Sequence, residues 1–169
     1  MTSAVALLVF ITLQRGIELL WARRNETQLR AKGAIEVGAG HYPLIVALHA
    51  TWLVTLWLMG QGHALVPLWT WVFAGLQMMR LWVLWTLKGR WTARVLVVPG
   101  ESLIARGPYR FIPHPNYLVV ALEIPAAPLA LGLPVTALAF GLANLAMLAW
   151  RIRVEGRALA LADGTAKTA

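Results

Sequence analysis

No cysteine occurs among the 169 residues, which excludes disulfides, thiolate metal sites and a cysteine nucleophile. Charge is scarce too: only 13% of the residues are Asp, Glu, Lys or Arg, and seven are acidic. A soluble domain carries roughly a quarter of its residues charged, so a soluble fold is excluded. The first apolar run has no basic segment before it and no small-residue cleavage site after it. It is therefore expected to stay as an anchor and not to be cleaved. The two halves of the chain show no repeat. The one glycine-rich run, Gly33 to Gly40, follows no strand and is no dinucleotide fingerprint.

Apolar residues are abundant, at 59% of the chain with a mean hydropathy of +0.66. The runs Val5 to Trp21, Tyr42 to Met59, Leu65 to Leu87, Tyr117 to Leu131 and Pro134 to Trp150 are candidate spans. At about 1.5 Å per residue the first three cover most of a hydrocarbon core of about 30 Å. Leu131-Gly132-Leu133-Pro134 reads as a tight turn between the last two. Pro125 and Pro128 each remove a helical hydrogen bond and predict a kink in the fourth run. The expected fold is all-α: one polytopic domain over residues 1–169, with about five transmembrane helices and a C-terminal helical hairpin.

Basic residues test this reading independently. Thirteen of the fifteen follow the first, third or fifth run, and none lies in the second connection or the hairpin turn. The positive-inside rule then puts the N-terminus outside and the C-terminus in the cytoplasm. The net charge of +8 reports orientation and anionic lipid, and no nucleic acid is implied.

Within the runs, Arg15, Glu18, Arg80 and Glu123 are costly in hydrocarbon, so they are expected to face the bundle and pair. Glu123, two turns from the loop that precedes its helix, is also expected to reach a cavity bordered by that loop and touch substrate. Paired membrane charges centred on Glu123 would alternatively suit the coupling site of a small transporter. Trp21, Trp69, Trp91 and Trp150 fall at predicted interfaces and read as an aromatic belt. His41 and His49 share a helix face but have no partner histidine at matching depth, so haem is not expected. No metal is expected either.

The most distinctive polar stretch is Gly107-Pro108-Tyr109-Arg110-Phe111-Ile112-Pro113-His114-Pro115-Asn116-Tyr117. Its three prolines fix φ and remove backbone donors, so the loop can present imidazole, amide and phenol groups in a set arrangement. At the end of the fifth run, Arg151 and Glu155 stand four residues apart and share a helix face at the depth of that loop. A guanidinium and a carboxylate there could hold a zwitterion and an anion together.

Gly107-Pro108-Tyr109, His114-Pro115-Asn116-Tyr117, a following helix pair, and Arg151 with Glu155 resemble the isoprenylcysteine carboxyl methyltransferase family. Arg15, Glu18, Arg23-Arg24-Asn25, Gly33 to Gly38 and His41-Tyr42-Pro43 resemble its bacterial branch of alkylpyrone O-methyltransferases. The resemblance implies an enzyme of the bacterial inner membrane that uses S-adenosylmethionine to methylate a lipophilic acceptor, isoprenylcysteine-like or alkylpyrone-like. It further implies that Glu101, Ser102, Leu103, Ile104, Tyr109, His114, Pro115, Asn116, Tyr117 and Glu155 contact the cofactor, and that Arg151 meets the acceptor as the catalytic cation. The family usually has arginine where this chain has Pro113, so Arg106 or Arg110 is expected to substitute for it.

Overall fold

The computed structural model describes the backbone of residues 2–100 and 104–166, and the side chains of all of these except 41, 155 and 157–166. The described residues form five α-helices, α1 (Ser3–Ala31), α2 (Tyr42–Gly60), α3 (Pro67–Leu87), α4 (Pro115–Ala130) and α5 (Pro134–Ala166). By length and composition, α1, α2 and the stretch Pro134–Val154 of α5 can cross a bilayer. Large apolar side chains, among them Leu58, Trp71, Trp85 and Val135, stand more than three-quarters exposed on the helix surfaces. Such faces are stable in lipid and not in water, and the chain is a helical membrane protein.

Two short strands qualify the all-α expectation. β1 (Ile35–Glu36) and β2 (Leu96–Val97) pair antiparallel, with Ile35 opposite Val97 and Glu36 opposite Leu96. Val37 extends the contact through its N–H to Val95 O at 3.0 Å. The run Val95-Leu96-Val97-Val98 is rich in β-branched residues, whose side chains suit extended backbone.

Prolines and polar caps set the helix ends. The Thr2 hydroxyl accepts from Val5 N–H at 3.3 Å and caps α1. At about 1.5 Å per residue α1 runs about 43 Å, so its last turns pass beyond the expected span end at Trp21. Pro67, Pro115 and Pro134 each occupy the first position of a helix, where a missing N–H costs nothing. After α4, Leu133 N–H donates to Pro128 O at 2.8 Å, Gly132 N–H donates to Leu129 O at 3.0 Å, and Gly132 has a φ of 70°. These are the paired bonds of a Schellman turn, and α4 and α5 pack on one another.

Pro128 cannot donate to Ile124 O, and the Trp52 indole N–H of α2 takes that carbonyl at 3.0 Å. A freed backbone acceptor in the membrane is thus satisfied by a neighbouring helix.

The interior is layered. Ala4, Leu8 and Ile11 of α1 pack with Trp52, Leu56, Phe73, Leu76, Ile124 and Ala127 at one end of the bundle. Ala22, Leu84 and Trp91 form a smaller cluster toward the other end. Between them in sequence, Gln14, Arg15 and Glu18 of α1 meet Gln77 and Arg80 of α3 and Glu123 of α4.

Candidate active site

The end of α3 begins one wall of a cavity. Lys88 takes a φ of 48° and the chain turns sharply into Arg90 and Trp91. Asn25 of α1, 3% exposed, holds this turn by donating to Lys88 O at 3.0 Å and Trp91 O at 2.8 Å. Trp91 is 7% exposed and packs on Trp21 with ring centroids 6.0 Å apart. Its assignment to the aromatic belt is therefore corrected: Asn25 draws the turn inward, and the indole goes with it. From Trp91 the wall continues as the β2 segment.

The opposite wall is the proline loop. Gly107 has a φ of 59°, and a Cβ there would collide with the Thr86 hydroxyl of α3. Glycine is needed for the backbone conformation and for the close approach. Phe111 N–H and Ile112 N–H both bond Pro108 O at 3.1 Å, closing the turn that leads into Pro113 and His114. His114 stacks on Tyr117 with centroids 5.1 Å apart and planes at 13°. Arg151 reaches in from α5, donating from Nε to Tyr117 Oη at 3.0 Å and from Nη1 to Ala93 O at 2.8 Å. One guanidinium so ties α5, α4 and the β2 wall together.

A cavity of about 480 Å³ lies between the walls, within the usual range for small-molecule sites. Of the residues expected from sequence, it brings together Ile104, Tyr109, His114, Asn116, Tyr117 and Arg151. Pro115 is buried at the start of α4 behind this lining. Glu155 lies one helical turn past Arg151, with its side chain outside the described residues, as Glu101, Ser102 and Leu103 are altogether.

Glu123 is elsewhere. Expected as a substrate contact, it is 1% exposed between α1, α3 and α4. Arg80 Nη1 at 2.8 Å, Arg15 Nη2 at 3.0 Å and Gln77 Nε2 at 2.8 Å engage its carboxylate. Two cations at its own depth outweigh a partly wet cavity for a buried carboxylate. Glu18 completes the cluster, paired with Arg80 and with Arg15.

Sequence reasoning missed Arg90, Trp91, Thr92 and Arg94 on the lining. Neither Arg106 nor Arg110 lines it, and among the described residues the cations at the cavity are Arg90, Arg94 and Arg151. Arg94 is held by the N-terminal part of the chain: Glu36 Oε1 accepts from its Nη1 at 2.5 Å, Glu26 faces its Nε at 3.5 Å, and the Tyr42 ring lies 4.0 Å beneath it. Arg30 also bonds Glu36. Burial raises the Glu36 carboxyl, but the bonds from Arg94 and Arg30 outweigh it and leave the group below its ordinary value. The same bond to Glu36 raises Arg94. The signal available in the sequence was the β-branched run at 95–98, which predicts a strand and so a partner for Ile35 to Val37.

Two polar atoms in the lining residues are buried without a hydrogen-bond partner among the described residues, the Trp91 indole N–H and the Asn116 Oδ1. Each costs on the order of 1 to 3 kcal/mol until a ligand or water meets it. A donor and an acceptor in the lining residues, with stacked aromatic rings and three arginines, fit a ligand carrying an aromatic base, an amine and a carboxylate. Among the described residues no group of His, Asp or Glu side chains could hold a metal ion.

Residues 68–161 match the model of the isoprenylcysteine carboxyl methyltransferase (ICMT) family. The chain is 37% identical over 166 residues to the uncharacterized protein YpbQ of Bacillus subtilis (strain 168), covering 90% of this chain and 94% of that one. No solved structure matches it.

Proposed function

The chain belongs to the isoprenylcysteine carboxyl methyltransferase family, a family of membrane methyltransferases, and we propose that it moves a methyl group from S-adenosylmethionine to a carboxylate or acidic hydroxyl of a lipophilic acceptor. The observation that carries this reading is the convergence of His114, Asn116, Tyr117 and Arg151 on one cavity. S-adenosylmethionine, when bound, supplies an electrophilic methyl on a sulfonium centre. Tyr109, the His114–Tyr117 stack and the Asn116 oxygen are suited to its base and amine, with Ile104 beside them; Glu155 and the stretch Glu101 to Leu103 complete the proposed set.

The acceptor needs little chemistry from the chain. A carboxylate with a pKa of about 4 is already ionised at neutral pH, so no proton has to be taken from it. What remains is alignment, which can contribute several kcal/mol, and a cation for the acceptor, which is Arg151. Its partners among the described residues are neutral, a phenol and a backbone carbonyl, and leave its positive charge for a ligand. Apolar Leu29 and Leu87 on the same cavity suit the acceptor's tail.

In this reading all five helices span the membrane, α4 and α5 form a hairpin, and the cavity opens at the cytoplasmic side of a bacterial inner membrane, with the N-terminus outside. A transporter coupled through Glu123 is not favoured, since two arginines and a glutamine engage its carboxylate. Calorimetric titration of the detergent-solubilised protein with S-adenosylhomocysteine tests the proposal. Binding with a micromolar Kd, about −8 kcal/mol, is expected, and no heat from folded protein rejects it.

A further inference from the structure

The family match begins at residue 68, yet side chains from the chain before it converge on one residue of the cavity lining, Arg94. Three elements do this: Glu26 from α1, Glu36 from β1 and the Tyr42 ring from α2. Surface arginines are rarely fixed from three sides, because holding a long side chain costs conformational entropy. Here the strand register of Glu36 opposite Leu96 places the carboxylate beside the arginine.

Arg94 and Arg151 are also anchored to the same short stretch. Arg151 Nη1 bonds the carbonyl of Ala93, the residue immediately before Arg94, and both arginines line the cavity. Each has its Nε and Nη1 engaged, which leaves the Nη2 of each without a hydrogen-bond partner among the described residues. The charges are unequal in effect. Arg30 and Arg94 balance Glu26 and Glu36, while the partners of Arg151 among the described residues are neutral. The pair therefore offers two donors and one net positive charge.

Building on the proposed methyl transfer, we infer that Arg94 and Arg151 together receive the acceptor's reactive group, and that Glu36 is the positioning residue that fixes Arg94 for this task. The complementary ligand is a monoanion whose charge is shared by two oxygens, a carboxylate or an enolate conjugated to a carbonyl. A group with one oxygen can satisfy only one of the two guanidiniums, and planar two-oxygen anions are what forked guanidinium donors recognise best. Specificity for the acceptor is then written partly in the N-terminal third of the chain.

The test compares Glu36→Gln and Arg94→Gln with the parent protein in lipid nanodiscs. The probes are a farnesylated N-acetylcysteine and a long-chain hydroxypyrone, with a long-chain alkylphenol as the one-oxygen acceptor. For whichever two-oxygen probe is methylated, each substitution is expected to raise KM about tenfold. The double variant should be no worse than either single one, because both act through one contact. The Kd for S-adenosylhomocysteine, measured on the same samples, should stay within about twofold and reports that the cavity is intact. The phenol, if used, should be affected several-fold less.

Unchanged KM for the two-oxygen probe, an equal penalty on the phenol, or a matching loss of S-adenosylhomocysteine affinity would each overturn the inference. Should Arg94→Gln fail to fold, Arg94→Lys serves: it keeps the charge but not the fork, and parental KM in that variant counts against the role. Failure of the underlying reading looks different, with no methylation of any probe by the parent protein.

Discussion

The Arg151 guanidinium donates to the phenol oxygen of Tyr117 across 3.0 Å, and the ring that receives this bond is the one stacked on His114. The cation assigned to the acceptor and the imidazole assigned to the cofactor are therefore joined through one side chain. A change at Tyr117 should be felt by both.

Tyr117→Phe keeps the stack and removes the bond. It is expected to lower kcat/KM for methyl transfer by about ten- to a hundredfold, the equivalent of about 1.5 to 3 kcal/mol for a hydrogen bond to a charged group, with a smaller effect on S-adenosylhomocysteine binding. Arg151→Lys should do no better than Arg151→Ala, since an ammonium on a flexible stem cannot bridge Tyr117 Oη and Ala93 O in the same geometry. Steady-state kinetics beside calorimetry checks both expectations. Parental turnover in Arg151→Ala would return this residue to the role of a helix anchor at the lipid surface.

Gly107→Ala meets two penalties at once, a φ of 59° and a collision with the Thr86 hydroxyl. The expected loss is about 1 to 3 kcal/mol of stability, and the loop should move off α3, weakening S-adenosylhomocysteine. Adding Thr86→Ala removes the collision but not the strained φ, so it should recover part of the loss. Thermal unfolding of the single and double variants measures the split.

Much of the fold was legible because lipid writes it into composition. The apolar runs mark the helices to within a few residues except at two ends, where α1 continues to Ala31 and α5 to Ala166. Both continuations are polar or mixed segments rich in good helix formers and without proline, so hydropathy sees a span end where the backbone sees none. The loop from Gly107 to Tyr117 was visible for its prolines and its chemistry. What stayed hidden was long-range: the pairing of Ile35 with Val97, the burial of Trp91 by Asn25, and the preference of Glu123 for arginines on two other helices. None of these partners is near in sequence, and two-residue strands carry no periodicity to detect.

The buried cluster predicts an asymmetry. Arg80→Met leaves Glu18 and Glu123 facing one another with Arg15 as the remaining cation, and should cost about 3 to 5 kcal/mol, the usual range for stranding a buried charge. Removing a whole pair, with Arg80→Met and Glu18→Met together, should cost less than Arg80→Met alone. Unfolding midpoints in one detergent decide the matter. Equal or greater loss in the double variant would contradict the account of the cluster as a mutual charge lock.

The Glu36 clamp has a defined pH window. Its carboxyl lies below the ordinary value of 4.5 in the folded chain, so the folded state holds the proton less tightly than the unfolded one. Its contribution to stability is complete above the unfolded value and is lost as pH falls through the folded one. The difference in unfolding temperature between the parent and Glu36→Gln should thus be largest near neutrality and shrink steadily below about pH 4.5. A difference that grows on acidification would be of the wrong sign.

The most direct measurement is transfer of labelled methyl from S-adenosylmethionine by the purified protein in nanodiscs, offered a farnesylated N-acetylcysteine and a long-chain hydroxypyrone. The account predicts label in the lipid-soluble product of at least one. It also predicts loss of transfer in Arg151→Ala, and a raised requirement for S-adenosylmethionine in His114→Ala, of about 2 to 4 kcal/mol if the imidazole holds a charged group. Folded protein that binds no S-adenosylhomocysteine and labels neither acceptor would contradict it.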